Sequence, residues 1–195
     1  MNFRMDIFSY QDYQNHKPKI IEGMSNPDCA LFNAVSSLYL FEKYQSQCRE
    51  DLDNEEVTIL NEVVNKLWGD EFNYPEVREG ENELFSKLEI IGLDEDGDPF
   101  DLTPETICVL SSFSYSLNQN YGSYDQTINH VLETLTDCVD RELDEKYPDY
   151  VDGSLNKMFT YKESKQVLSN IFDLVEQIRK GNRSKALVKI LKRTC

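Results

Sequence analysis

The sequence predicts an all-α protein, a single antiparallel bundle of about six to eight helices. Apolar residues recur at three- and four-residue steps through most of the chain, which is the helical period. No segment alternates apolar and polar residues between hairpin turns, so we expect no sheet. The connections between periodic segments are short, which favours antiparallel neighbours. The 195 residues fit one domain, 1–195, in which residues 1–25 form an N-terminal segment with a weaker helical pattern.

The first two predicted helices have clear start signals. Asn26 is an N-cap candidate followed by Pro27, a residue suited to the first helical position. Asp53 opens the second helix, which has carboxylates in its first turn, where the helix dipole favours them. Gly69 ends this helix. We expect one apolar face on the first helix, formed by Leu31, Val35, Leu38, Phe41 and Tyr44.

Glycine, proline and serine mark the ends of the next three helices. Gly92 ends the third helix, and Thr103-Pro104 begins the fourth. Ser123 caps the fifth, whose apolar stripe is the clearest in the chain. That stripe consists of Ile128, Val131, Leu132, Leu135, Val139 and Leu143.

The last third of the chain predicts a loop and two helices. The loop runs from Tyr147 to about Tyr161 and is followed by a sixth helix that closes at Gly181. Asn182 is expected to cap a short basic helix over residues 183–193.

Charge is unevenly distributed along the chain. The net charge is −16, yet residues 177–195 hold seven basic residues and no acid, which leaves 36 acidic against 13 basic residues in 1–176. Such a field repels nucleic acid and anionic membranes, so we expect neither as a partner. It would speed the encounter with a basic protein, although solubility alone is the alternative explanation. We expect the basic C-terminal helix to dock onto the acidic body, whereas a nucleic-acid or membrane patch is the less favoured alternative.

Cysteine usage and the N-terminus predict a cytoplasmic protein. The five cysteines are an odd number, lie far apart and include no CxxC motif, which favours buried thiols in a reducing compartment. The N-terminus lacks the apolar core of a signal peptide, and no stretch approaches the ~18 uncharged apolar residues of a membrane span.

One acidic stretch resembles a calcium-binding loop without meeting its requirements. Residues 94–105 place carboxylates at positions one, three, five and twelve of an EF-hand loop. The sharp turn at position six requires glycine, but Pro99 stands there, and Asp101 occupies the usually apolar position eight. We therefore predict a solvated turn and no metal site.

No other residues form a convincing catalytic arrangement. His130 has no positioned partner at helical spacing, which favours a histidine at the helix surface. Cys29 lies in a first helical turn, but Asp28 opposes activation of its thiol, so core packing is the ordinary explanation. We therefore expect no catalytic residues, no cofactor and no enzymatic activity.

Two segments combine carboxylates with tyrosines and are candidates for binding a basic protein, because tyrosine supplies contact area while acids pair with lysine or arginine. The alternative is that both segments are loops whose tyrosines fold back onto the bundle. The candidate contact residues are Asp70, Glu71 and Tyr74 in the first segment, and Tyr147, Asp149, Tyr150 and Asp152 in the second.

Most of the chain, from about Asn26 to Arg193, resembles a bacterial helical family of unknown function whose namesake is YjaG. The matching stretches are ALFNAVSSLYLFEKY, EVTILNEVVNKLWGDE, ENELFSKLEIIGLDED, TPETICVLSSFSYSL, the helix from Thr127 to Glu142, NIFDLVEQI and ALVKILKR. The N-terminal 25 residues and the loop from Tyr147 to Tyr161 depart from this pattern.

The resemblance implies an all-α fold with no assigned catalytic residues. Some proteins similar to this family are immunity proteins of contact-dependent growth inhibition systems, including systems with EndoU-type RNase toxins. The resemblance therefore implies that the partner is a basic nuclease toxin domain. We expect an immunity protein that occludes the basic active-site cleft of its cognate toxin. The alternative is a housekeeping helical binding protein with another partner.

Overall fold

A computed structural model describes residues 7, 9–68, 72–92, 101–117, 124–150 and 155–193. These ranges form ten α-helices and one 3-10 helix and contain no β-strand, which confirms the all-α prediction. The helices outnumber the predicted six to eight, partly because α8 and α10 have only four residues each. The helices are α1 Tyr10–Ile21, α2 Asn26–Lys43, α3 Gln45–Asp51, α4 Asn54–Leu67, α5 Tyr74–Leu88, α6 Pro104–Leu117, α7 Tyr124–Lys146, α8 Leu155–Met158, α9 Lys162–Arg179 and α10 Val188–Leu191, with the 3-10 helix at Lys185–Leu187.

Helix α2 is the centre of the molecule. It contacts α6, α7, α9 and α10, and every residue from Cys29 to Leu38 is buried. The expectation of one apolar face on α2 was therefore wrong, because a helix enclosed by neighbours must be buried on all sides.

Polar side chains on α2 are buried together with their hydrogen-bond partners. Asn33 donates from Nδ2 to Thr127 Oγ1 on α7 at 2.8 Å. The hydroxyls of Ser37 and Ser116, on α2 and α6, lie 2.6 Å apart. These bonds satisfy groups whose burial would otherwise be costly, and they fix α2 against both neighbours.

The start signals operate close to where the sequence places them. Asp53 is confirmed as an N-cap, since its Oδ1 accepts from the backbone N–H groups of Glu55 at 2.7 Å and Glu56 at 2.8 Å. The cap of α2 is Ser25 rather than Asn26, because the Ser25 hydroxyl and the Asp28 carboxylate form a capping box.

The predicted end at Gly181 is also confirmed, since this residue directly follows Lys180, the C-cap of α9. The predicted end at Gly92 lies past the observed one, because α5 ends at Leu88 and Gly92 belongs to the turn that follows. Both glycines have positive φ values, 80° and 85°, which glycine adopts without steric cost. The predicted cap Ser123 lies outside the described residues, as do residues 94–100 of the calcium-like stretch.

Two regions hold more helix than the sequence predicts. Helix α1 lies in the N-terminal segment, begins after the N-cap Ser9 and packs on α7, α8 and α9. Its Tyr13 is buried and stacks on Phe159, with ring centroids 5.4 Å apart. Helix α8 lies within the predicted loop from Tyr147 to Tyr161.

The basic C-terminal segment docks on the body, as the sequence predicts. The predicted cap Asn182 was wrong. The N-cap is Ser184, whose hydroxyl accepts from Ala186 N, and the Asn182 side chain instead accepts from Ser184 N. The apolar side chains on its inner face, including Leu187 and Leu191, are buried. Three ion pairs tie it to α2 and α9, namely Arg183–Asp28 at 2.6 Å, Lys192–Glu42 at 2.5 Å and Arg193–Asp173 at 2.8 Å. In the described part of the chain, no helix is both long and apolar enough to cross a membrane.

Candidate functional sites

The first candidate binding segment lies beside the basic C-terminal segment. Tyr74 is the first residue of α5 and its half-buried ring packs against the core. The backbone N–H of Phe72 donates to the carbonyl of Arg183 at 3.2 Å. Asp70 and Glu71 lie outside the described residues, so their assignment stays a prediction.

The tyrosines of the second segment fold back onto the helices. Tyr150 is only 4% exposed, its hydroxyl donates to the Asp140 carboxylate, and its ring meets that of Tyr161 edge-on at 5.5 Å. Tyr147 is half-buried, with its hydroxyl 2.9 Å from the Glu163 carboxylate that accepts its hydrogen bond. Tyr150 therefore follows the alternative given for this segment, a loop whose tyrosines fold back onto the bundle, because the turn finds partners on α7 and near the start of α9.

The structure does not bring the two segments together. Tyr147 binds Glu163 in the first turn of α9, whereas Phe72 binds Arg183, four residues beyond the last residue of that helix. Because α9 has 18 residues, its ends are about 27 Å apart. The described residues of the two segments therefore lie in different regions of the molecule.

Carboxylates at the end of α7 form a small acidic surface. Asp144 and Glu145 lie in the last turn of this helix, Asp149 lies in the turn that follows, and all three are exposed. We call these three residues the α7 acidic surface. Within the described part of the chain none of them makes an ion pair, although Lys157 reaches the backbone carbonyl of Asp149. Asp152 lies outside the described residues.

The position of Asp144 and Glu145 is unfavourable for the helix itself. The C-terminal end of a helix carries a partial negative charge, so a carboxylate there costs about 0.3–1 kcal/mol. Neighbouring Lys146 does not neutralise them, because it pairs with Glu163 of α9. Charges that weaken their own helix and make no ion pair with the described residues favour a role in binding.

Internal ion pairs account for many of the basic side chains. Nine basic side chains in the described residues each lie within 4.0 Å of a carboxylate. Because the chain has 36 acidic and only 20 basic residues, carboxylates remain in excess. The pairs are Lys17–Glu133, Lys43–Glu142, Lys87–Glu62, Arg141–Glu105, Lys146–Glu163, Lys180–Glu176, Arg183–Asp28, Lys192–Glu42 and Arg193–Asp173.

A second arrangement with chemical potential lies between α6 and α7. Arg141 of α7 donates from Nη2 to the Sγ of Cys108 on α6 at 2.7 Å. Cys138 precedes Arg141 by three residues, so both side chains lie on the same face of α7. The thiols of Cys138 and Cys108 influence each other's ionisation, and both are buried. We call Cys108, Cys138 and Arg141 the thiol–arginine cluster.

The cluster separates the proton affinities of its two thiols. The hydrogen bond from Cys138 and the charge of Arg141 lower the pKa of Cys108 to about 7, although burial opposes this change. The same hydrogen bond and burial raise the pKa of Cys138 well above its usual range. The two thiols titrate as a coupled pair, and the opposite directions of their pKa changes favour Cys108 as the thiol that ionises first.

Sequence reasoning missed this cluster because its members are distant in the chain. Arg141 is 33 residues from Cys108 and belongs to another helix, so no local pattern connects them. The sequence singled out Cys29 instead, and the structure buries Cys29 in α2, in agreement with core packing.

The first testable consequence concerns ionisation of Cys108. Thiolate ultraviolet absorbance should rise with a midpoint near pH 7, because the pKa of Cys108 is lowered to about 7. Cys108→Ser should remove this step, and Arg141→Gln should move it to higher pH. A lowered pKa also makes ionised Cys108 stabilise the fold, a contribution that is lost as the pH falls through 7. A thiolate step near the ordinary value of 9.0 would contradict the assignment.

His130 has the surface position that the sequence predicts. It is half-buried on α7, stacks on the Tyr115 ring with centroids 4.9 Å apart, and lies 3.8 Å from Glu133. Across the described ranges, no group of three or more His, Cys, Asp or Glu side chains is placed to hold a metal ion.

Comparisons with known proteins returned no relative: no family model, no curated protein and no solved structure matches the chain. The resemblance to the YjaG-like family therefore stays a prediction.

Proposed function

We propose that this chain is an immunity protein that binds a cognate nuclease toxin and occludes the basic active-site cleft of that toxin. In the leading version of the proposal the toxin is an RNase. The observation that carries the proposal is the α7 acidic surface. Asp144 and Glu145 weaken the end of their own helix, and none of the three carboxylates makes an ion pair with the described residues, which supports a role in contacting a basic partner.

A nuclease cleft has the complementary chemistry. Its substrate is a polyanion, so the cleft must present basic side chains to phosphates. An acidic surface competes for the same side chains, and charge complementarity speeds the encounter while disfavouring other partners. The net charge of this chain is −16, and basic residues of the C-terminal segment are used in internal ion pairs. The remaining negative charge supports a basic partner and argues against a nucleic-acid or membrane partner.

The proposed contacts centre on the α7 acidic surface. They include Asp149, which the sequence singles out, and Asp144 and Glu145, which it does not. Buried Tyr150 supports the turn rather than contacting the toxin, and Tyr147 anchors it to α9. Asp70, Glu71, Tyr74 and Asp152 remain candidates on the grounds given by the sequence.

The proposal includes two further expectations. The scaffold is a single domain whose neighbouring helices run antiparallel, because a rigid bundle presents acidic groups at fixed positions. The protein acts in the cytoplasm without enzymatic activity, since an RNase toxin finds its substrate there.

Survival on co-expression tests this function. If the gene immediately upstream encodes a large exported protein, the variable C-terminal domain of that protein is the partner to express. Cells that produce the domain alone should stop growing, and cells that also produce this chain should survive. A toxin domain of different sequence serves as the control, because an immunity protein should not rescue cells from it.

Loss of growth despite co-expression would reject the immunity function. An isolated gene among metabolic neighbours would favour the alternative, a housekeeping binding protein with another partner.

A further inference from the structure

The thiol–arginine cluster has features that core packing does not require. Arg141 of α7 is placed directly on the sulfur of Cys108 in α6, and Cys138 lies three residues before Arg141 on the same face of α7. We propose that Cys108 and Cys138 form a reversible oxidation site that reacts with a hydroperoxide and ends as a disulfide between α6 and α7. This site is independent of the proposed toxin contact.

Cys108 is the attacking thiol, because only a thiolate reacts readily with peroxide. The guanidinium of Arg141 lies 2.7 Å from its sulfur and stabilises the negative charge. Cys48 makes a useful contrast. It is also buried, but its sulfur lies 3.9 Å from the Thr106 hydroxyl, and burial raises the pKa of its thiol.

The second nitrogen of Arg141 is placed to assist. Its Nη1 is buried and makes no hydrogen bond to the described residues, with Glu105 Oε1 4.0 Å away. Such an orphaned donor is costly unless it serves a ligand. An oxygen atom arriving at the sulfur of Cys108 would give this N–H an acceptor.

Access to the cluster begins at Arg141, whose side chain is 29% exposed although both thiols are buried. The proposal requires a molecule as small as hydrogen peroxide to approach Cys108 along this side chain.

The chemistry balances in two steps. The Cys108 thiolate attacks one peroxide oxygen, the O–O bond breaks, and hydroxide leaves while the sulfur becomes a sulfenic acid. The Cys138 sulfur then attacks the Cys108 sulfur. The S–O bond breaks, the thiol proton of Cys138 leaves with the oxygen as water, and a disulfide remains. The pair gives up two electrons, and the peroxide accepts them.

Treatment of the full chain with hydrogen peroxide, followed by mass spectrometry of its peptides, tests the proposal. The expected product is a Cys108–Cys138 disulfide that dithiothreitol reverses. Cys138→Ser should stop at a sulfenic acid on Cys108, which dimedone traps, and Cys108→Ser should give neither product. Cys48→Ser is the matched control and should leave the rate unchanged, and the peptide map also identifies any oxidation of Cys195.

Two substitutions of Arg141 separate its charge from its packing. Arg141→Gln should lower the rate of Cys108 oxidation at pH 7 about tenfold or more, because the thiolate fraction falls. Arg141→Lys keeps the positive charge and should retain most of the rate. Oxidation of Cys29 or Cys48 before Cys108, or the absence of the Cys108–Cys138 disulfide in the unaltered chain, would overturn the proposal.

Discussion

Replacing Phe32 by alanine is expected to lower the free energy of unfolding by about 3–5 kcal/mol. Phe32 is 0% exposed and lies on α2, the helix that other helices surround, so the cavity left by its ring has no route to collapse. The loss is a large share of the ~5–15 kcal/mol that stabilises a typical domain. Denaturant unfolding followed by circular dichroism measures it.

Ile90→Ala provides the matched control. Ile90 is 56% exposed, so truncating it should change the free energy of unfolding by less than about 1 kcal/mol. If the two substitutions cost the same, α2 is not the centre of the core.

Neutralising the α7 acidic surface should separate binding from stability. The triple variant Asp144→Asn, Glu145→Gln, Asp149→Asn is expected to slow association with the toxin domain by about tenfold at low ionic strength, because local charge steers the encounter. Its free energy of unfolding should stay the same or rise, since two carboxylates leave the negative end of α7. Stopped-flow mixing measures the association rate constant, and denaturant unfolding measures the free energy of unfolding.

A second triple variant controls for net charge alone. Glu50→Gln, Glu79→Gln and Glu89→Gln remove three exposed carboxylates from α3, α5 and the C-cap of α5, which makes the same change in net charge elsewhere on the surface. This variant should slow association much less. Equal slowing by both variants would mean that net charge, rather than the α7 acidic surface, governs the encounter.

Local chemistry made much of the fold predictable. The cap at Asp53 and the end of α9 before Gly181 follow from groups within one turn of the boundary, so the sequence alone identifies them. The docking of the C-terminal segment was predictable as well, because its cluster of bases stands beside an acidic body.

The buried polar contacts could not be read from the sequence, because their partners lie far away in the chain. Ser37 interrupts the apolar pattern of α2 and suggests a solvated face, yet Ser116, 79 residues later, satisfies its hydroxyl. Tyr150 stands among charged residues that suggest exposure, but the Asp140 carboxylate on α7 binds its hydroxyl. Contacts with distant parts of the chain therefore determine that both side chains are buried.

The chemistry of the candidate binding site was predictable from the sequence, but its position in the structure was only partly predictable. Acid excess indicated a basic partner, and Asp149 is exposed as expected. The sequence did not distinguish Asp144 and Glu145 from other carboxylates of α7. Their distinction comes from where the helix ends and from the pairing of Lys146 with Glu163.

The association rate of this chain with the toxin domain, measured as a function of ionic strength, tests the acidic-binder proposal most directly. If an acidic surface meets a basic cleft, the rate constant should fall about tenfold or more between low and physiological ionic strength, because salt screens the steering charges. An association rate that does not change with ionic strength would contradict the proposal.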